Sequence, residues 1–172
     1  MNEYDKLGRP NWDNYFLSLT FVIAQRSIDP NTKHGAVLVS KNKKILATGY
    51  NGPIKNIPDN KIPLTRPEKY YYIIHSEENC LLSYNGDEDS LKGSTMYITG
   101  EPCHRCLRMI IQKGIKNIVY GPLGSACLDE GDEKFKHFIL SNHDIKMKKI
   151  ENLDSLVSIC TNVQTKVEEI NK

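Results

Sequence analysis

Two short stretches hold residue types that can do chemistry together: His75-Ser76-Glu77 and Pro102-Cys103-His104-Arg105-Cys106, whose first cysteine stands 28 positions after the histidine. One imidazole nitrogen from His75 and two thiolates from Cys103 and Cys106 suit tetrahedral Zn²⁺, and three protein ligands leave the fourth position to water. An open position belongs to a catalytic metal, whereas a bracing metal is closed by a fourth side chain. Glu77 stands two residues beyond His75, where a first helical turn lets it reach that water without binding the metal, so it can act as a general base. A His-x-Glu alone arises by chance in roughly a third of chains of this composition, whereas a proline followed directly by Cys-x-x-Cys falls below about one in a hundred. The competing readings are a satisfied polar histidine, a solvated glutamate, and a structural zinc knuckle or redox pair. A structural site would want a fourth ligand, and His104 is the nearest candidate, but on a helix it points about 100° away from Cys103. Cys80, Cys127 and Cys160 lack ligand spacing and read as small buried hydrophobes.

These residues need elements to position them, and the periodicity supplies them. Residues 75–84 read as a helix that starts at the first ligand. Residues 103–113 read as another, with Leu107, Ile110 and Ile111 inward and Gly114 closing it. A helix N-terminus favours the ionised thiol that a ligand requires. Strands at 94–99 and 117–120 flank that second helix, a βαβ unit with parallel strands and a right-handed crossover. A second crossover follows through a short helix at 135–140 to an edge strand at 145–150, whose lysines guard against edge pairing. Upstream, Trp12, Phe16, Leu19, Val22 and Ile23 predict an amphipathic helix over 12–28, ended by Asp29-Pro30-Asn31. Apolar runs at 35–39 and 45–49 around a polar turn predict a hairpin. Residues 51–74 carry Pro53, Pro58, Pro63 and Pro67 without helical periodicity, a long connection expected to border the active site. Within it, Tyr70-Tyr71-Tyr72 with Lys69 and Arg66 is the only stretch resembling a basic channel with stacking aromatics for nucleic acid, and it reads instead as a loop packing onto the domain. Residues 122–131 are Gly-rich and acidic, and 153–170 have the spacing of a last amphipathic helix.

With 172 residues, 39% hydrophobic and 26% charged, the chain suits one globular domain spanning 1–172. Met1 to Lys6 lack an apolar leader region, and the apolar run Tyr70–Ile74 is too short to span a bilayer, so no membrane association is expected. An odd cysteine count with two committed to metal argues for a reducing, cytoplasmic setting. A net charge of +2 gives no electrostatic footprint for a long polyanion, which argues against nucleic acid but is compatible with a small phosphorylated substrate.

The chain resembles the deoxycytidylate (dCMP) deaminase family of the zinc-dependent cytidine deaminase-like superfamily. The resemblance rests on the zinc motifs together with Ala24-Gln25-Arg26-Ser27, Asp29-Pro30-Asn31-Thr32, Gly35-Ala36, Gly49-Tyr50-Asn51-Gly52 and Leu91 to Tyr97, and covers roughly residues 13–121. The tetrad Gly49-Tyr50-Asn51-Gly52 is the discriminating piece, because tRNA adenosine deaminases share the zinc motifs but usually carry a different tetrad there. The implied fold is a three-layer α/β/α arrangement with a five-stranded mixed sheet whose last two strands are parallel. The implied activity is zinc-dependent deamination of dCMP to dUMP with Glu77 shuttling protons, in a homo-oligomer, often a hexamer. The alternatives are a deaminase of dCTP or a 5-modified dCMP, a nucleic-acid base deaminase acting on tRNA or single-stranded DNA, and a scaffolding or redox-sensing module that would not need Glu77. By the resemblance Asn51 hydrogen-bonds the sugar and base region. Arg26 is the favoured phosphate contact, with a surface ion pair as its other reading, while Arg105 and Arg108 are weaker candidates. Ala36, Ser76 and Pro102 complete the expected substrate-binding set. Ser76 and Cys80 stand where the family favours alanine, and Glu101 is more typical of adenosine-type deaminases.

Overall fold

A computed structural model describes residues 9–124, 129–152 and 169. Apart from residue 169, the helix expected over 153–170 lies outside the described residues, as do Cys127 and Cys160.

The first helix, α1 (Trp12–Ala24), is capped by Asn11, whose side chain accepts from the Asn14 N–H. It ends four residues before the expected point. Asp29 precedes a proline and so resists helical geometry; its carboxylate instead accepts from the N–H groups of Asn31 and Thr32 and starts a turn. The hairpin forms as β1 (Gly35–Val39) and β2 (Ile45–Tyr50). The long connection is not featureless. Its ends pair as two short strands, β3 (Gly52–Pro53) and β4 (Ile73–Ile74), with Gly52 opposite Ile74. That closure brings Asn51 and His75, the residues just outside it, to one place. Then follow α2 (Ser76–Ser83), β5 (Thr95–Gly100), α3 (His104–Gln112), β6 (Asn117–Leu123), α4 (Glu130–Asn142) and β7 (Lys146–Lys149). Gly114 takes φ +77° just past α3, the left-handed closure its position implied. The fourth helix is longer than its apolar signal because Asp129 and Asp132 form a reciprocal cap at its start.

The strands order as β2-β1-β5-β6-β7. β1 runs antiparallel to β2 and β5, and β6 lies parallel to both β5 and β7, giving the expected mixed sheet with two parallel crossovers. Strand alternation divides the core in two. Val37, Val39, Tyr97 and Val119 meet Phe16 and Leu17 of α1 on one face. Ala36, Leu38, Met96, Ile98 and Ile118 meet Cys80, Leu81, Leu107 and Ile110 of α2 and α3 on the other, with Phe135 and Ile139 of α4 packed alongside. Three layers result, and β1 is buried on both sides. Lysine-rich β7 lies at the sheet edge, as its alternation implied.

Two glycines set how closely helices approach the hairpin. A Cβ at Gly35 would stand 2.0 Å from the Thr20 carbonyl oxygen of α1, and one at Gly49 would stand 2.3 Å from the Cys80 nitrogen and 2.4 Å from the Ser76 oxygen of α2. Gly49 thus lets the first turn of α2, which carries Ser76 and Glu77, lie directly on β2. Among the described residues no helix is long and apolar enough to cross a membrane.

Candidate metal centre and active site

His75 and Cys103 occupy equivalent places: each is the N-cap of its helix, in extended backbone, and neither uses its side chain to cap. Their side chains are therefore available to a ligand. β5 ends at Gly100 and the turn 101–103 carries the chain into α3, so the N-termini of α2 and α3 meet. His75 Nδ1 lies 3.6 Å from the Cys103 sulfur and 3.4 Å from the Cys106 sulfur. A tetrahedral ion with Zn–S near 2.3 Å and Zn–N near 2.05 Å would hold nitrogen and sulfur about 3.5 Å apart, so the spacing fits zinc. All three donor atoms lie within 4.8 Å of one another. The two sulfurs lie close enough to interact, and their thiols shift in opposite directions. A hydrogen bond from Cys106 holds Cys103 down to about 4 despite burial, aided by His75, while the same bond and burial push Cys106 far up. His75, Cys103 and Cys106 would hold a divalent cation, whose charge would favour the ionised form of both sulfurs.

Among the described residues His104 is not part of the donor cluster. Its backbone N–H and its Nδ1 both meet the Asp132 carboxylate, at 2.5 and 2.9 Å, which ties the start of α3 to the start of α4. Cys80 is wholly buried, and burial pushes its thiol up to about 12, consistent with an inert core residue.

Glu77 is buried, 6% exposed, and its Oε2 accepts a hydrogen bond from the Ser76 hydroxyl at 2.8 Å. It lines the same cavity as His75, Ser76 and Cys103. Asn51 lines it too, but both ends of its amide are engaged: Oδ1 accepts from the His34 N–H at 2.7 Å and Nδ2 donates to the Thr32 carbonyl at 3.0 Å. Asn51 thereby shapes the wall formed by Thr32 and His34. Burial pushes the His34 imidazole down, and its Nδ1 lies 3.0 Å from Thr99 Oγ1.

The remaining expected substrate contacts fall outside the lining. Arg26 is exposed just beyond α1, while Ala36 and Pro102 are buried in β1 and in the turn before α3. Residues singled out in the sequence, but not as contacts of a small substrate, do line the cavity, and the long connection borders it as expected. Asp29, Arg66, Lys69 and Tyr70 lie along it, so the stretch 66–70 forms part of the pocket wall as well as packing on the domain. Lys69 Nζ grips both Asp29 oxygens at 2.6 and 2.8 Å, with side chains 3% and 5% exposed. Glu101 also lines the cavity and pairs with Lys136 of α4 at 2.5 Å. The signal for the first pair was faint: a lone lysine among tyrosines and an Asp-Pro turn, 40 residues apart.

A mixed sheet with helices on both faces, two helix N-termini meeting at a His/Cys/Cys set and a carboxylate beside it define a zinc-dependent deaminase fold. The family profile described as the cytidine and deoxycytidylate deaminase zinc-binding region matches residues 10–122, well over half the chain, and the chain belongs to that family. Zinc is its metal, and the three donors fit it. The deoxycytidylate deaminase of Homo sapiens is 37% identical over 115 residues, covering 63% of this chain and 64% of the human one. The match therefore spans less than two thirds of that relative. The deoxycytidylate deaminase of Mycobacterium phage D29 is 34% identical over 131 residues, covering 66% of this chain and 97% of that protein. Among solved structures, the dCMP deaminase from the cyanophage S-TIM5 in complex with dCMP and dUMP is 25% identical, with a TM-score of 0.67 over 83% of this chain and 98% of that one.

Proposed function

We propose that this chain hydrolyses the amino group of dCMP, with water and dCMP giving dUMP and ammonia. The observation that carries the reading is a buried carboxylate, Glu77, on one cavity with a His75/Cys103/Cys106 set spaced for zinc. The names of the relatives support a cytosine deoxynucleotide as substrate.

Zinc, when bound, would supply the Lewis acidity that makes water acidic near neutral pH. Glu77 accepts one proton of the attacking water and delivers it to ring N3 as the oxygen adds to C4; it then takes the second proton from the new C4 hydroxyl and gives it to the amino group, which leaves as ammonia as the C4 carbonyl forms. Each transfer needs the carboxylate at one fixed place. Ser76 holds Oε2 there, which leaves the other oxygen for proton traffic. Burial of Glu77 limits competing water. Asn51 keeps the Thr32–His34 wall in place against the sugar side of the substrate.

Ammonia release from dCMP, deoxycytidine, dCTP and a cytosine-containing oligonucleotide tests the reading. dCMP should give the highest kcat/KM; preference for the oligonucleotide or for deoxycytidine would overturn it.

The protein assembles as a homo-oligomer in the cytoplasm. Trp12, Val22 and Leu82 are large apolar side chains left 54%, 60% and 70% exposed on α1 and α2, which supports burial against further copies. Light scattering at micromolar concentration should give a mass well above the 19.6 kDa of one chain; a monomer would remove this part of the reading.

A further inference from the structure

Five side chains with a formal charge line the cavity: Asp29, Arg66, Lys69, Glu77 and Glu101. Three are already engaged. Lys69 is locked onto Asp29 in a pair almost sealed from solvent, and Glu101 faces Lys136 from α4. One acid remains beside the metal donors, Glu77, and one cation, Arg66, which makes no hydrogen bond or ion pair among the described residues. The two differ in depth: Glu77 is buried and Arg66 is exposed, so along one cavity the acid lies inside and the guanidinium at the mouth.

We infer that Arg66 receives the anionic end of the substrate, the 5′-phosphate of the nucleotide, an inference that rests on the dCMP reading above. A guanidinium presents a planar fork that matches phosphate oxygens in pairs, and one not already paired loses no protein partner on binding. The wall around it is prepared for an anion. Unpaired, Asp29 and Glu101 would repel a phosphate; Lys69 and Lys136 cancel both. The turn that carries Arg66 is also held in advance. The Lys69 N–H donates to the Thr65 carbonyl at 2.9 Å, the Lys69 ammonium is fixed on Asp29, and β3 with β4 closes the base of the connection. Rigid presentation of this kind reduces the ordering cost of binding. Arg26 has none of these features, being exposed and outside the cavity lining.

Calorimetric binding of dUMP and of deoxyuridine to the zinc-loaded protein isolates the phosphate contribution without turnover, as the ratio of the two Kd values. Wild-type protein should bind dUMP about 10- to 100-fold more tightly than deoxyuridine, the range of a charge-assisted contact. In Arg66→Ala the ratio should fall toward one, in Arg66→Lys it should be partly kept, and in Arg26→Ala it should be unchanged. Arg66 is exposed, so its replacement leaves folding intact, which an unchanged melting temperature would verify. A ratio unaltered in Arg66→Ala, or lost in Arg26→Ala instead, overturns the inference and leaves the dCMP reading standing. A collapse of the ratio in Arg66→Ala, in a wild-type protein that releases no ammonia from dCMP, supports the anion contact while sinking the reaction. Wild-type protein that binds dUMP no better than deoxyuridine overturns both.

Discussion

Glu77 stands beside the metal donors without joining them because its partner is Ser76: the hydroxyl holds one carboxylate oxygen, and the donor set closes on His75, Cys103 and Cys106 without it. Under the proposed mechanism, binding of zinc and movement of protons fall on different residues, and a single substitution would separate them. Glu77→Gln keeps the shape and loses the proton acceptor. We expect it to retain zinc by metal analysis while kcat falls by about 10²- to 10⁴-fold, the usual worth of general acid–base catalysis. A variant with wild-type turnover would remove Glu77 from the mechanism. Asn51 teaches a different lesson at this scale. A side-chain amide suits recognition of sugar and base, yet both ends of this one are occupied by backbone of the 32–34 segment, so its contribution passes through the wall it builds.

At the scale of elements, the cavity is assembled by pieces that have little regular structure of their own, and the Asp29–Lys69 pair joins two of them. Burial pushes the Asp29 carboxyl up, but Lys69 and the N–H groups of Asn31 and Thr32 pull it further down, so it titrates below the ordinary carboxylate range. Its folded-state pKa is thus lower than the value near 3.9 of an unfolded aspartate. The sign follows: the stabilisation is complete above that pH and is lost as pH falls through the folded-state value. Asp29→Asn leaves a buried ammonium without its counter-charge and should cost about 3–5 kcal/mol near pH 7. The gap to wild type should narrow below about pH 4, measured by urea unfolding across pH. A gap that stays constant down to pH 3 would show that the carboxylate charge is not what matters there.

For the whole molecule, the metal acts as a cross-link. Its donors come from the starts of α2 and α3, and Asp132 of α4 is hydrogen-bonded to the α3 side. Removal of zinc by a chelator should lower the melting temperature by at least about 5 °C and abolish activity, and added zinc should restore both. Metal-free protein that melts at the holoprotein temperature would show that the ion serves chemistry alone.

The metal donors and the order of the strands and helices that carry them were legible along the chain, and so was the carboxylate beside the donors. His75, Glu77, Cys103 and Cys106 are legible because metal chemistry tolerates few residue types and helix geometry fixes their spacing. The strand and helix order is legible because hydrophobic periodicity is local, and the βαβ units then allow only one handedness. Two helix boundaries shifted where hydrogen bonds of polar side chains, from Asp29 and from Asp129 with Asp132, outweighed the apolar pattern. Only the tertiary structure decided the rest of the pocket. The sequence favoured Arg26 as the phosphate cation, yet Arg66 is the arginine that lines the cavity, because that depends on where α1 ends and on how residues 51–74 fold back through β3 and β4. The pairing of Lys69 with Asp29 and of Lys136 with Glu101 is likewise invisible in one dimension. Such pairs form between loops and helices distant along the chain, and side-chain charge carries no periodicity that would announce its partner.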